Sequence, residues 1–146
     1  MKNDLNVTYK GTRQEILALL YKYSWAYDSN DMDVLGSIFN ENGRTGGVVA
    51  NTLRGWGPWE GRDKIVAELS AIRCSQADRR RHVITSPIFE TINERDATVR
   101  VYLSLFSYGN GRDPYLVTTG EYIMRASKND GVWLIDLLEE VLESPF

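Results

Sequence analysis

The feature that most constrains this chain is a change of period. Up to about residue 75, three segments carry apolar residues at helical spacing; beyond it that spacing disappears and β-branched and aromatic residues take over. Thr12-Arg13-Gln14-Glu15 is a capping-box sequence, so a helix is predicted to start there, with the Thr12 hydroxyl satisfying an amide and Glu15 reaching back. Ile16, Leu20, Tyr23 and Tyr27 form its apolar stripe. Asp28 sits beside that stripe at the helix end. Asp31 is expected to cap a short second helix running through Phe39, with Val34, Leu35, Ile38 and Phe39 facing inward and Asn42-Gly43 ending it. From Arg44 to Trp59 there is no clean period, which we read as a short strand and a Gly-rich loop. Gly61-Arg62-Asp63 then leads into Ile65, Val66, Leu69 and Ile72, a third amphipathic helix.

After it, four strand-like segments follow: 82–90, 97–108, 115–126 and 132–138. Turn signals separate them at residues 93–96, 109–114 and 128–131, the spacing of antiparallel hairpins. Three helices and then a meander predict an α+β domain in which a curved, mainly antiparallel sheet wraps the first helix. A chain of 146 residues has room for one such domain, 1–146, and for no second one.

Composition removes several function classes. A net charge of −3 gives no footprint for nucleic acid, and no uncharged run approaches the roughly 20 apolar residues of a membrane helix. Met1–Lys10 is polar and lacks an apolar leader core, so a cytoplasmic location is expected. The single Cys74 and single His82 cannot build a disulfide framework or a typical zinc site, and Gly43, Gly46 and Gly47 are not followed by the Lys-Ser/Thr of a phosphate loop. No metal and no cofactor are expected. Arg79-Arg80-Arg81 reads as a solvated face, since no other basic cluster accompanies it. The aromatic complement of 4 Trp, 8 Tyr and 4 Phe exceeds what a small core needs, and Tyr and Trp suit a pocket with apolar walls and a few hydrogen bonds.

Several features in one order resemble the SnoaL-like branch of the NTF2-like superfamily, which includes polyketide cyclases and scytalone dehydratase. They are Tyr27-Asp28, Asp31-Met32-Asp33 with Phe39, Gly61-Arg62-Asp63-Lys64-Ile65, Arg81-His82-Val83-Ile84-Thr85, Ala97, Thr119-Gly120-Glu121-Tyr122 and Gly131-Val132-Trp133-Leu134-Ile135. The resemblance implies a cone-shaped fold whose open end admits a small apolar or polycyclic ligand, commonly in a homodimer. It also implies that Asp28 and His82 form an acid–base pair, as an Asp at the end of the first helix and a His on the strand after the third helix do in scytalone dehydratase. An imidazole exchanges protons near neutral pH, and a carboxylate fixes its tautomer.

Two departures narrow the chemistry. The second His of scytalone dehydratase is absent from Val101–Phe106, and Tyr23 stands where a dehydrochlorinase of the family carries Lys. Tyr102 or Ser104 is the candidate donor to a developing oxyanion, with plain strand packing as the alternative. Tyr27 is a candidate ligand contact that would serve equally as core. Trp56 and Trp59, in a Gly-rich loop, are expected to close over a ligand or a partner, and Trp133 to anchor the core. The expected function is a cofactor-independent enzyme of cyclase, isomerase or dehydratase type, in natural-product biosynthesis. The alternative is a ligand-binding or partner-stabilising module of the same fold.

Overall fold

A computed structural model describes residues 11–146; Met1–Lys10, and with it the reading of its missing leader core, lies outside the described residues. Among the described residues there are three helices and six strands, in the order α1 (Thr12–Ser29), α2 (Met32–Ser37), β1 (Phe39–Val49), β2 (Gly55–Glu60), α3 (Arg62–Ser75), β3 (Arg79–Ile92), β4 (Asp96–Gly109), β5 (Arg112–Asn129) and β6 (Val132–Leu142). One sheet contains all six strands in the order β2-β1-β6-β5-β4-β3. Every pairing is antiparallel except β1 with β6, which is parallel, so the sheet is mixed.

The predicted apolar stripe of α1 is the core stripe: Ile16, Leu20, Tyr23 and Tyr27 are all buried. They meet the inward face of the sheet, where Val99, Val101 and Leu103 of β4, Met124 of β5 and Ile135 and Leu138 of β6 alternate with solvent-facing neighbours. Ile65 and Leu69 of α3 and Leu35 of α2 join the same cluster. Trp133 is buried in it, as predicted.

Three local expectations are corrected. The capping box does not form: Gly11, at φ 95°, precedes the helix, no side chain caps it, and Thr12 is already the first helical residue. The second helix ends at Ser37 rather than Phe39, because Phe39 begins β1 and places its ring in the core; Asn42-Gly43 lies inside that strand. The stretch read as a strand and a loop is two paired strands, β1 and β2, with a register shift between Thr45 and Gly47 that erases the alternation a strand normally shows. Gly47 is required there: a Cβ would lie 2.1 Å from the Trp56 ring.

Asp31 does cap α2, its carboxylate accepting from the Val34 N–H at 3.2 Å. Asp31→Ala is expected to cost about 0.5–2 kcal/mol, read as a lower urea midpoint with an unchanged slope. Arg62, at the start of α3, donates twice to the Phe39 carbonyl, at 3.1 and 2.7 Å, and so ties α3 to the first residue of β1. These ties bring α1, α3 and the inner face of the sheet around one small cavity.

Candidate active site

The cavity lies between α1, α3 and the sheet and measures about 30 Å³. His82 enters it from β3. On this strand Arg80 and His82 share the inner face while Arg79 and Arg81 face out, so a single register fixes which basic groups reach the interior. Asp28 comes from the last turn of α1. Asn30 ends that helix in the left-handed region, φ 59°, and its backbone N–H returns to Ala26 and Tyr27, which holds the turn carrying Asp28.

Asp28 grips His82 twice. One carboxylate oxygen lies 2.6 Å from the ring Nδ1, and the other accepts the backbone N–H of His82 at 2.9 Å. Both side chains are largely buried, His82 at 8% exposure and Asp28 at 16%. A carboxylate only accepts, so the neutral tautomer that this contact fits has its proton on Nδ1 and its lone pair on Nε2. The rings of Tyr27 and Tyr23 meet the imidazole edge to face, at 5.1 and 6.2 Å between centroids, and leave it little freedom to rotate.

Opposite polar groups come from β6. Glu140 lines the cavity, and its carboxylate accepts from the Tyr23 hydroxyl at 3.3 Å. Although Glu140 keeps some surface toward the cavity, protein surrounds its carboxyl. Burial raises its pKa to about 7, against the opposing influence of His82 and the Tyr122 and Tyr23 hydroxyls. The phenols of Tyr23 and Tyr122 are pushed well above their usual range by burial and then by the Glu140 charge, so both stay protonated, and Tyr23 donates to Glu140. The Tyr122 hydroxyl is buried without a partner of hydrogen-bond geometry. Tyr27 bonds through its hydroxyl to Gln76 at 3.2 Å, and burial raises its pKa as well.

The other expected site residues separate into two groups. Trp56 borders the cavity and packs edge to face on Phe146, which lines it too, 5.0 Å between centroids. Trp59 does not border it; like Trp56 it is half-buried and packs against the core. Tyr102 and Ser104 also fall outside. Tyr102 is 56% exposed, and both residues share the outer phase of β4, while Leu103 and Leu105 line the cavity. The register explains this: His82 pairs with Leu105, so residues one position away point to the opposite face. Neither can donate to a group held at His82.

Sequence reasoning missed Glu140 and gave Tyr23 only a packing role. The signal for Tyr23 was its position one turn before Tyr27, with a second phenol on the same stripe. Glu140 was hidden by a bulge. Ile135 pairs with Ala126 and Leu137 with Arg125, which leaves Asp136 extra, held by the Asn40 side chain. The extra residue shifts the inward phase from odd to even numbers, and Leu138, Glu140 and Leu142 then face in.

Among the described residues no group of three His, Cys, Asp or Glu side chains is placed to hold a metal, and no helix is long and apolar enough to cross a membrane. The sequence profile of the SnoaL-like domain matches residues 11–139. The chain belongs to the SnoaL-like family. Solved structures share its fold along nearly the whole length. An NTF2-like protein with a cystatin-like fold from Novosphingobium aromaticivorans is 21% identical, with a TM-score of 0.73 over 92% of this chain and 83% of its own. A candidate scytalone dehydratase from the same organism is 21% identical, with a TM-score of 0.71 over 89% and 83% of the two chains. ActVI-ORFA from Streptomyces coelicolor is 16% identical, with a TM-score of 0.74 over 91% and 98%. No curated protein sequence matches significantly. This SnoaL-like domain therefore has the α+β NTF2-like fold, built here on a six-stranded mixed sheet.

Proposed function

We propose that this SnoaL-like domain is a cofactor-independent acid–base enzyme acting on a small, largely apolar metabolite, with His82 as the proton-transfer group and Asp28 as the residue that orients it. The observation that carries this reading is the double contact of Asp28 with the ring and the backbone of His82 at the edge of a cavity walled by Leu69, Leu103, Leu105 and Leu142. Asp28 uses both oxygens on His82, which leaves Nε2 as the free basic atom beside the cavity. Glu140, with a pKa near neutrality, can exchange a proton from β6, where the Tyr23 hydroxyl donates to its carboxylate. Together these groups suit removal of a proton beside a carbonyl, followed by its return elsewhere or by loss of a hydroxyl. Cyclisation, isomerisation and dehydration share that first step. The scytalone dehydratase candidate among the similar folds is consistent with such a reaction class.

A second reading, a non-catalytic binding module, draws on the small volume: at about 30 Å³ the cavity, lined by Trp56 and Phe146 among others, must enlarge before a ring enters. A crystal structure with the cyclic ketone 2-tetralone separates the two. The enzyme reading expects Trp56 displaced and the ketone's α-carbon or oxygen within hydrogen-bond reach of His82 Nε2. Ketone bound only outside the cavity, out of reach of His82, would favour the binding module.

A further inference from the structure

His82 and Arg80 border a second opening, larger than the first, of about 680 Å³ between the C-terminal half of α1 and β3. Its charge is unusual for this chain. Arg73, Arg79, Arg80 and Arg81 all line it, against one carboxylate, Asp28, which is already committed to His82. Four arginines line one opening in a chain whose net charge is −3. Such local asymmetry concentrates anions at that opening.

The guanidinium groups are also short of acceptors. Arg80 spends its Nε on Asp78 at 3.0 Å, while one of its terminal nitrogens is buried with no partner, and the Nε of Arg73 is buried with none. Asp78 is itself divided between Arg80 and the Ser107 hydroxyl. The Arg81 guanidinium carbon sits over the Tyr108 ring, 4.6 Å from its centroid, a cation–π contact that does not consume its hydrogen bonds. Trp25, 56% exposed, adds an aromatic wall to the same opening. The charge reaches the inner cavity too: Arg73 and Arg80 act on the Tyr27 phenol against the burial that raises its pKa. An opening lined by four arginines, the Trp25 ring and His82 suits a molecule with a charged tail and an apolar body.

We propose that the arginine-lined opening beside His82 binds an anionic group, a carboxylate or a phosphate, of the molecule on which the site acts, so that the preferred substrates carry an acid group in addition to the carbon that loses its proton. The proposal extends the acid–base reading of His82 by naming the chemistry of the substrate. Arg79 and Arg81, both exposed, are the first contacts for the anion, and Arg80 with Arg73 lies behind them.

Equilibrium binding to the full chain tests this, by titration calorimetry at low ionic strength with 2-naphthoate, 2-naphthyl phosphate and the neutral 2-naphthamide. At least one anion is expected to bind fivefold or more tighter than the amide, and the tighter of the two identifies the group. The double variant Arg79→Gln/Arg81→Gln should keep its melting temperature and lower that anion's affinity about tenfold. A preference for the anions of less than fivefold, no detectable anion binding, or a preference that survives the double variant would overturn the proposal. His82→Ala is expected to retain the anion preference while losing proton exchange, so the anion site and the acid–base reading fail separately.

Discussion

Replacing His82 by alanine is expected to lower catalysed proton transfer by about 10²-fold or more, the usual loss when a general base is removed. The variant should fold, because the backbone N–H of residue 82 still donates to Asp28, whose second oxygen gains water. Asp28→Asn tests the orienting role. An amide can turn its NH2 toward Nδ1, which makes Nδ1 the acceptor and moves the ring proton to Nε2. The basic atom beside the cavity is then gone although the imidazole remains. A loss on the order of 10²–10⁴ is expected, with little change in substrate affinity. If the work were instead done by a carboxylic acid at position 28, His82→Ala would retain most of the rate while Asp28→Asn would not. The comparison of the two variants therefore assigns the base.

The second large effect is on stability. The ordinary pKa of a Glu side chain is 4.5, and the fold raises that of Glu140 to about 7. Between those values the native state holds a proton that the unfolded chain releases, so stability falls as pH rises. The contribution is complete below the unfolded value and is lost as pH passes through about 7, on the order of 3 kcal/mol across the window. Glu140→Gln keeps an acceptor for the Tyr23 hydroxyl and cannot ionise. Urea midpoints measured from pH 5 to pH 8 should fall for the wild type and stay level for the variant, leaving the variant the more stable of the two at pH 8. Parallel curves would show that Glu140 is not buried in the native state. Asp78 does not confuse this window. Burial works to raise its pKa, but Ser107 and Arg80 outweigh burial and hold it below the ordinary carboxylate value, so its effect lies at acidic pH.

What the sequence made legible follows from how directly a period maps onto a face. The α1 stripe, the α3 stripe and the odd-numbered phase of β4 are unbroken runs, so the core they form could be read from spacing alone. Asp28 and His82 were legible as positions, one closing a helix and the other in a strand, and their mutual contact required the fold that the family resemblance implied. Tyr102 and Ser104 illustrate a signal that was present and not used. They share the phase of Thr98 and Arg100 rather than that of Val99, Val101 and Leu103, and that phase faces outward. Glu140 and β1 had no such signal. An extra residue at Asp136 reverses the phase of β6, and a register shift after Thr45 breaks that of β1, so alternation stops predicting direction where the strands bend to shape the site. The Arg79-Arg80-Arg81 run was read as a solvated face. The fold divides it, with Arg80 turned inward at 11% side-chain exposure and the other two outward.

The central claim is that Asp28-oriented His82 removes a proton from carbon. Exchange of the α-protons of 2-tetralone in heavy water, followed by proton NMR with the wild-type protein, measures that step without requiring the natural substrate. Exchange faster than in buffer alone, and slowed about 10²-fold or more by His82→Ala, is the predicted result. Exchange no faster than buffer, or equally fast in the His82→Ala protein, would contradict it.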